Sequence, residues 1–379
     1  MTRSQKRMRA TLALIGTIIG AGVFGVPAMI GAWGVIPATF GFVLLTFVVL
    51  ATHLLYAEAV LRYHPAARLS GFADHWLGPA GGAAAGLVQT LQIFGSNLAY
   101  LILGGEFLAV LAGALGIHIP VLAWQVAFWA IGSVTILVGL SWMTKVEAFL
   151  TWILVAIMIL IIGALAGRMD AAVILSVPAR WSFEPYGVFL FSLFGLTVIP
   201  EMEDIVKERR DDMMKAVMRG TLGAAALTYV FGVTAWLASS GTLGRGPTDV
   251  IALLPYAFTI AVPLFGFLAV VTSYLTTAYD LGSMFRLDFH FAAPLAWAVS
   301  LGVPLALLFL TERDFLSTIG LVGSIFGATT GVIAVLIGRA ALRKAGRVAR
   351  WSATWWWREV APLAVTGFFV IGGLSWLFI

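Results

Sequence analysis

Residues 15–27 form an apolar run, IGTIIGAGVFGVP, that contains four glycines and a proline. Both residue types weaken the interior of a helix, so the run predicts a helix that is interrupted near its middle. An interruption leaves C=O groups without partners at the end of the first half and N–H groups without partners at the start of the second half. The N–H groups attract a carboxylate, and the C=O groups attract an amine or a metal cation. The chemistry predicted for this run is therefore non-covalent binding by main-chain atoms.

A second run with the same combination of residues lies at 191–200, with the sequence FSLFGLTVIP. Gly22 and Pro27 have a G-x4-P spacing, and Gly195 and Pro200 repeat it 173 residues further along the chain. Paired Gly and Pro interruptions in two halves of a chain are typical of the binding site of a transporter. A site that offers both N–H and C=O groups suits a zwitterion, so the two runs together predict an amino acid as the ligand.

The elements that carry these runs are predicted to be membrane-spanning helices. Of the 379 residues, 61 % are hydrophobic and 11 % are charged, whereas a soluble domain is about 45–50 % apolar and about 25 % charged. A helix crosses a bilayer with roughly 20 apolar residues. Eleven such segments are found, at about 10–35, 38–61, 82–113, 121–141, 146–166, 187–205, 216–239, 258–282, 292–310, 315–338 and 359–378. Short helices are predicted in two of the connections, at 69–77 and at 248–258.

The positions of the basic residues predict the orientation of these helices. With the N-terminus placed inside, 19 of the 23 Lys and Arg residues fall on the inner side, and the other four are Arg168, Arg180, Arg245 and Arg313. This bias follows the positive-inside rule, so the N-terminus is predicted inside and the C-terminus outside. The first apolar segment is longer than the core of a cleaved signal peptide and is predicted to be retained.

The predicted fold class is an all-α membrane protein with a single membrane domain over residues 1–379. The interrupted helices are the first and the sixth, and their odd separation inverts the second copy across the membrane. Repeat one is predicted at about 10–166, repeat two at about 187–338, and one extra C-terminal helix at about 359–378.

Several other classes of protein are disfavoured by the composition. The chain has no Cys, and its five His residues show no zinc-site spacing. It has no H-E-x-x-H or G-x-S-x-G motif, so it is not predicted to be an enzyme. Nothing resembles the filter ring of a channel. The net charge of +5 arises from loop residues, so no nucleic-acid partner is predicted.

Three runs resemble one superfamily of transporters: residues 15–27, Thr272-Ser273-Tyr274-Leu275, and Ile199-Pro200-Glu201-Met202-Glu203. They make the chain similar to the amino acid–polyamine–organocation superfamily, which has the leucine-transporter type fold. The chain looks closest to the hydroxy and aromatic amino acid permease branch, over about 10–340 as architecture. The resemblance implies a five-plus-five inverted repeat with one extra helix. It also implies a cation-coupled symporter of neutral or aromatic amino acids, working by alternating access in a prokaryotic inner (plasma) membrane.

The resemblance further implies which residues bind the substrate. The main-chain N–H groups that would bind its carboxylate are those of Gly20, Ala21 and Gly22, with Val23 beside them. The opposite wall would be formed by Ser192, Phe194, Gly195 and Thr197.

A sodium site is implied in the same way, built from the carbonyls of Gly16 and Ile19 and the hydroxyls of Thr272 and Ser273. Some proton-coupled relatives have a Lys in helix five, whereas residues 149–166 contain none. This difference favours Na+ as the coupling ion, with H+ as the alternative, and no other cofactor is predicted.

Helix three carries a stripe of polar residues on one face: Gln89, Gln92, Ser96, Asn97 and Tyr100. Asn97 and Tyr100 lie near mid-span and are predicted to contact the substrate. Hydrogen bonds between helices are an equally good interpretation of the stripe.

Aromatic residues are predicted to contact the side chain of the substrate at the second interrupted run. The residues concerned are Phe191 and Phe194.

Two ionisable residues lie in helix two. Such groups inside a membrane are candidates for function. The structural interpretation is nevertheless preferred for both, with His53 as a satisfied core residue and Glu58 as a partner of Arg62 one turn away.

Four acidic residues elsewhere have two interpretations each. Glu106 is either a gate or a solvated helix end, and Asp280 either caps its helix or meets a basic loop. For Glu201 and Glu203, a local ion pair is preferred over a gate.

Two alternatives to amino acid transport remain open from the sequence. The first is a transporter of the same fold whose substrates are nucleobases, amines or other small solutes. The second, which is less favoured, is a membrane sensor without transport activity. The predicted partners are a small-molecule substrate and the lipid bilayer, with no obligatory protein partner.

Overall fold

The computed structural model describes residues 2–63, 67–138, 143–175, 182–207, 209–246, 248–254, 258, 260–344 and 359–375. These residues form helices and connections, with no β-strand among them. Arg180, one of the four predicted outer basic residues, lies outside this description. The α-helices assigned in the described ranges are α1 (Arg3–Ile18), α2 (Val26–Trp33), α3 (Val35–Val60), α4 (Leu69–Leu77), α5 (Pro79–Gly113), α6 (Val121–Val138), α7 (Met143–Ala166), α8 (Glu184–Leu193), α9 (Ile199–Val206), α10 (Arg210–Ala238), α11 (Asp249–Ala252), α12 (Ala261–Leu287), α13 (Ala293–Leu310), α14 (Phe315–Leu321), α15 (Ala328–Lys344) and α16 (Ala361–Ser375).

Eight helices in the described part of the chain are long and apolar enough to cross a membrane. Seven of them are α3, α5, α6, α7, α10, α12 and α13. The eighth runs over Phe315–Lys344, because a π-helical stretch at Val322–Gly327 joins α14 to α15. The prediction of an all-helical membrane protein is confirmed at this level.

Both predicted interruptions are present. α1 ends at Ile18 and α2 begins at Val26, while α8 ends at Leu193 and α9 begins at Ile199. The connecting helix predicted at 69–77 is α4, with the same bounds. Of the helix predicted at 248–258, the described residues 248–254 and 258 contain the short α-helix α11.

Several helices extend beyond the predicted apolar segments. α10 begins at Arg210 rather than at 216, α12 continues to Leu287, and α15 continues to Lys344. Hydropathy marks only the apolar part of a helix, whereas a helix end tolerates charges that find partners. In the first turn of α10, Asp212 accepts hydrogen bonds from Arg3 Nε at 2.7 Å and from Arg7 at 3.4 Å.

The interrupted helices are enclosed by long continuous ones. α1 packs against α10, α7 and α9, and α12 packs against α5. α3 packs against α15 and α10. We call the end of the bundle at which α1 begins the α1 face, and the opposite end, toward which α2 runs, the α2 face.

α8 approaches the π-helical stretch closely through glycines. A methyl group on Gly323 would overlap the carbonyl oxygen of Gly187, and one on Gly187 would overlap the carbonyl of Gly320. Main chain therefore packs directly on main chain here, a contact that no larger residue permits.

We expect Gly323→Ala to lower the midpoint of thermal unfolding in detergent, because the added methyl group has no space. Overpacking of this kind costs about 1–3 kcal/mol. The matched control is Gly163→Ala in α7, where no atom lies within 4 Å of the new methyl group. Equal midpoints for the two variants would contradict the packing described here.

Candidate functional site

The first interruption separates α1 from α2 by a short 3-10 turn at Ala21–Phe24. The N–H of Ile19 donates to Ile15 O at 2.8 Å, and the N–H of Gly20 donates to Ile18 O at 2.9 Å. The N–H groups of Ala21 and Gly22 are the first of the 3-10 turn and have no partner within it. The last carbonyls of α1, including that of Gly16, likewise have no N–H partner further along the helix.

The second interruption separates α8 from α9. Phe194 is extended, and a 3-10 turn at Leu196–Val198 leads into α9, where Pro200 occupies the first turn. The N–H of Gly195 donates to Nε2 of His53 in α3 at 3.2 Å.

The two interruptions pack against each other through glycines. A methyl group on Gly22 would lie 2.7 Å from the Ser192 Cα atom and 3.0 Å from the Phe191 ring. One on Gly195 would lie 2.8 Å from the side chain of Ile18. At Gly22 the nearest atom belongs to the main chain, so no movement of a side chain alone makes room for a larger residue.

A cavity of about 830 Å³, its open end included, lies between the interruptions. Seven of the eleven predicted substrate-binding residues line it: Gly20, Ala21, Gly22, Tyr100, Phe191, Phe194 and Thr197. Main-chain groups and aromatic rings therefore meet in one space, with the rings of Tyr100 and Phe191 6.3 Å apart.

The other four predicted residues are absent from this lining. Val23 is buried in the 3-10 turn, and Ser192 donates its hydroxyl to Phe189 O at 2.8 Å. Gly195 is held by the hydrogen bond to His53. Asn97 lies behind Thr277, whose hydroxyl donates to Asn97 Oδ1 at 2.6 Å.

The polar stripe of α5 combines both of its predicted interpretations. Gln89, Gln92 and Ser96 line the cavity. Gln89 Nε2 also donates to Asp280 at 2.7 Å, and Gln92 Oε1 accepts from Thr330 at 2.6 Å. The stripe is thus a wall of the cavity and a set of hydrogen bonds between helices.

A second, smaller cavity of about 340 Å³ lies between α1, α7 and α12. Three of the four residues predicted for a sodium site line it, namely Gly16, Thr272 and Ser273, whereas Ile19 does not. Further hydroxyl-bearing residues on its wall are Thr17, Thr151 and Thr276.

The hydroxyls of α12 donate to carbonyls of their own helix. Thr272 donates to Leu268 O at 2.9 Å, and Ser273 donates to Ala269 O at 2.9 Å. Donating the proton leaves the hydroxyl oxygen with lone pairs for a second partner. Oxygen atoms of this kind suit a hard cation, and the described residues contain no cluster of His, Asp or Glu that would hold a metal ion.

Toward the α1 face, the side chain of Arg68 and the ring of Pro200 separate the large cavity from a third one of about 580 Å³. Arg68 NH1 lies 3.3 Å from Glu201, and Arg68 Nε lies 3.3 Å from Asp280. Burial alone would lower the pKa of the Arg68 guanidinium, but the two carboxylates outweigh it and leave this pKa raised. The three side chains form an ion cluster, hereafter the Arg68 cluster.

The last turn of α12 anchors the main chain beside Arg68. Asp288 accepts hydrogen bonds from Ser70 Oγ at 2.5 Å and from the Gly71 N–H at 3.0 Å. These bonds cap the start of α4, to which Arg68 is the preceding residue.

Toward the α2 face, the 3-10 turn of the first interruption ends in a cluster of four phenylalanines. The ring of Phe24 lies 4.9 Å from that of Phe107, 5.5 Å from that of Phe265 and 6.1 Å from that of Phe231. All four are almost fully buried. This aromatic cluster has no polar group, in contrast to the Arg68 cluster.

The predicted structural interpretations of Glu58 and Asp280 agree with their contacts. Glu58 pairs with Arg62 at 3.2 Å and with Arg210. Asp280 meets the basic residue Arg68, which comes from the connection before α4. Glu201 also pairs with Arg68 rather than with a basic residue of its own helix.

Arg68 is the functional candidate that the sequence analysis missed. Its charge counted only toward the orientation of the helices. The available signal was its place directly before the short helix at 69–77, together with two carboxylates in predicted spans, Asp280 and Glu201.

Two sequence comparisons match this chain to proteins of amino acid transport. The tryptophan/tyrosine permease family matches residues 3–245. A tryptophan-specific transport protein of Shigella flexneri is 23 % identical over 360 residues, covering 87 % of this chain and 86 % of that protein.

Solved structures share the fold at low identity. A crystal structure of MhsT in complex with L-phenylalanine has a TM-score of 0.70 and 17 % identity, covering 97 % of this chain and 98 % of that one. A transporter of the nucleobase-cation-symport-1 family, closed with bromovinylhydantoin bound, has a TM-score of 0.66 and 16 % identity, covering 97 % and 90 %.

We expect Arg68→Ala to open the large cavity toward the α1 face. The chain has no Cys, so Ser96→Cys in the cavity wall provides a single reporter for a charged thiol reagent. Its labelling rate should rise about tenfold in the Arg68→Ala background, equivalent to ~1.4 kcal/mol of lost closing energy. The control background is Arg286→Ala. This variant removes an exposed arginine in the last turn of α12, the helix that carries Asp280. Equal rates in the two backgrounds would show that Arg68 does not close the cavity.

Proposed function

The chain belongs to the tryptophan/tyrosine permease family, and from this premise we propose that it is a symporter of aromatic amino acids. Membership in a permease family makes it a multi-pass inner-membrane transporter of amino acids rather than an enzyme. The aromatic preference, the coupling to a cation and the alternating-access cycle are the parts proposed here.

The observation that carries the proposal is the composition of the large cavity. On one side are the unpaired main-chain N–H groups of Ala21 and Gly22, which suit a carboxylate. On the other side are the rings of Phe191 and Phe194, which suit an aromatic side chain. The carbonyls at the end of α1 suit the ammonium group. An aromatic zwitterion presents all three groups at once.

The proposed topology has eleven spans. α1 with α2 forms the first span, α8 with α9 the sixth, α14 with α15 the tenth, and α16 the last. The bias of basic residues supports placing the α1 face in the cytoplasm and the C-terminus outside. The two interruptions support a five-plus-five inverted repeat over about 10–166 and 187–338.

The proposed coupling ion is Na+, held as a co-substrate in the smaller cavity. Its ligands are the Gly16 carbonyl and the hydroxyls of Thr272 and Ser273, with the Ile19 carbonyl as a further proposed ligand. The wall of that cavity supports this choice because its polar side chains are all neutral hydroxyls, set among three leucines. Ser273 also lines the large cavity, so one residue adjoins both the ion and the substrate.

Alternating access is proposed to use the two clusters as barriers. The aromatic cluster around Phe24 closes the cavity to the outside, and the Arg68 cluster closes it to the cytoplasm. Release to the cytoplasm then requires Arg68 to leave Asp280 or Glu201, while the aromatic rings stay packed.

The substrate proposal is tested with purified protein in liposomes. We expect an imposed Na+ gradient to drive accumulation of labelled L-tryptophan, L-tyrosine or L-phenylalanine. Tryptamine and indole-3-propionate should not compete, because each lacks one of the two charged groups of the zwitterion. Accumulation of nucleobases or amines instead would replace the proposal with that class of substrate, and saturable binding without accumulation would favour a sensor.

In the same assay, Gly22→Ala should reduce binding of the transported amino acid at least tenfold, equivalent to ~1.4 kcal/mol. The new methyl group would lie 2.7 Å from the Ser192 Cα atom and would push the two interruptions apart. Gly163→Ala serves as the control. Unchanged affinity in Gly22→Ala would place the substrate elsewhere.

The ion proposal is tested with Ser273→Ala and Thr272→Val. Each should raise the Na+ concentration for half-maximal uptake about tenfold, since a lost ligand of ~1.4 kcal/mol has this effect. The control is Thr311→Val, which removes an exposed hydroxyl that makes the same bond to a carbonyl four residues earlier. Uptake that follows a proton gradient and ignores Na+ would overturn the ion assignment while leaving the aromatic substrate in place.

A further inference from the structure

His53 lies in the second half of α3 and is fully buried. Its ring contacts two other elements of the bundle. Nε2 lies 3.2 Å from the main-chain nitrogen of Gly195, between α8 and α9. Nδ1 lies 2.9 Å from the hydroxyl oxygen of Thr221 in α10. The side chain therefore connects two continuous helices to the second interruption.

The two contacts assign the proton on the ring. A main-chain N–H can only donate, so Nε2 must accept and carries no proton. Nδ1 then carries the proton and donates to the Thr221 hydroxyl. The imidazole is neutral and is held in one tautomer by two fixed partners.

The acceptor satisfies a group that the interruption leaves without a partner. Gly195 follows the extended residue Phe194, so its N–H has no carbonyl within α8. A buried N–H without a partner is strongly unfavourable in a membrane protein. In the described structure, the His53 ring supplies the acceptor that a continuous helix would have supplied.

The bond also determines the position of two cavity residues. Phe194, the neighbour of Gly195, lines the cavity, and its ring lies 6.2 Å from the imidazole. On its other side Gly195 packs against Ile18, the last residue of α1 and also a cavity residue. A displacement of Gly195 therefore changes both walls of the substrate cavity.

We propose that His53 is a positioning residue of the substrate site, acting as the neutral hydrogen-bond acceptor that holds Gly195 and thereby Phe194 and Ile18 in place. It does not touch the substrate. The proposal rests on the proposed function for its transport readout, and the hydrogen bond itself is tested without any substrate.

A pair of substitutions separates the bond to Gly195 from packing. His53→Gln places an amide oxygen near the position of Nε2, so it keeps an acceptor for Gly195. His53→Asn reaches only the position of Nδ1, so it keeps a partner for Thr221 and loses the one for Gly195. His118→Asn, at an exposed histidine, is the control.

The first readout is hydrogen exchange of the peptide covering residues 191–200 in the purified protein without substrate. We expect exchange at Gly195 to be at least tenfold faster in His53→Asn than in His53→Gln, which should resemble the unaltered protein. Equal exchange in the two variants overturns the hydrogen bond. This result is independent of which substrate the protein carries.

The second readout is uptake of the aromatic amino acid. We expect KM to rise about tenfold in His53→Asn and less than threefold in His53→Gln, with kcat changed less than KM in both. Equal KM values for the two variants, alongside the expected difference in exchange, would show that the bond is structural and does not position the site. If neither the variants nor the unaltered protein transports, the exchange result stands and only the proposed function fails.

A third measurement reads the tautomer in the unaltered protein. We expect the 15N NMR signals of labelled imidazoles to include one neutral ring with the proton on Nδ1, assigned to His53 by its absence from the spectrum of His53→Gln protein. A proton on Nε2 of His53 would exclude the bond to Gly195 and overturn the proposal.

Discussion

Main-chain polar groups in a bilayer must find partners within the protein, because lipid supplies none. At the two interruptions, the regular hydrogen bonds of the helix end, so the main-chain groups there need other partners. Most of their N–H groups are satisfied locally, as when Val23 donates to Gly20 O and Gly25 donates to Gly22 O. At the second interruption the partner is a side chain, His53. The N–H groups of Ala21 and Gly22, which begin their turn without a partner in it, lie at the wall of the cavity.

The same requirement explains why the glycines cluster where they do. Main-chain atoms can bind a ligand only if no side chain stands between them and the cavity. Gly22 lies against the Cα atom of Ser192, and Gly20 lies against the Ser273 side chain, so both positions exclude even a methyl group. Small residues here permit two main chains and a helix bearing hydroxyl groups to meet around one small volume. The glycines thus contribute by the space they leave, and the surrounding helices contribute the polar atoms.

Much of this arrangement follows from local patterns in the sequence. The interruptions and the short helix α4 were predicted from runs of 13 residues or fewer, and the residues Gly16, Thr272 and Ser273 of the small cavity were implied by the family resemblance. The bonds of His53 and Arg68 were not, because their partners lie 142 and 133 residues away and depend on how helices pack. Asn97 shows that a correct position on a helix face does not establish contact with the cavity. Its place on the polar stripe of α5 was correct, but the depth of packing puts Thr277 between it and the cavity.

The two clusters proposed as barriers differ in how water acts on them. Separating the rings around Phe24 exposes apolar surface to water, which costs about 25 cal/mol per Å². Separating the Arg68 cluster exposes charges, and water that enters recovers much of the lost pairing energy. The cluster has one positive and two negative side chains, so it attracts a cationic group that approaches from the cavity. An ammonium group moving toward the α1 face competes with Arg68 for Asp280 and Glu201. A zwitterion that leaves in this direction therefore weakens the ion pairs that obstruct it, whereas nothing in its charge weakens the aromatic cluster on the other side.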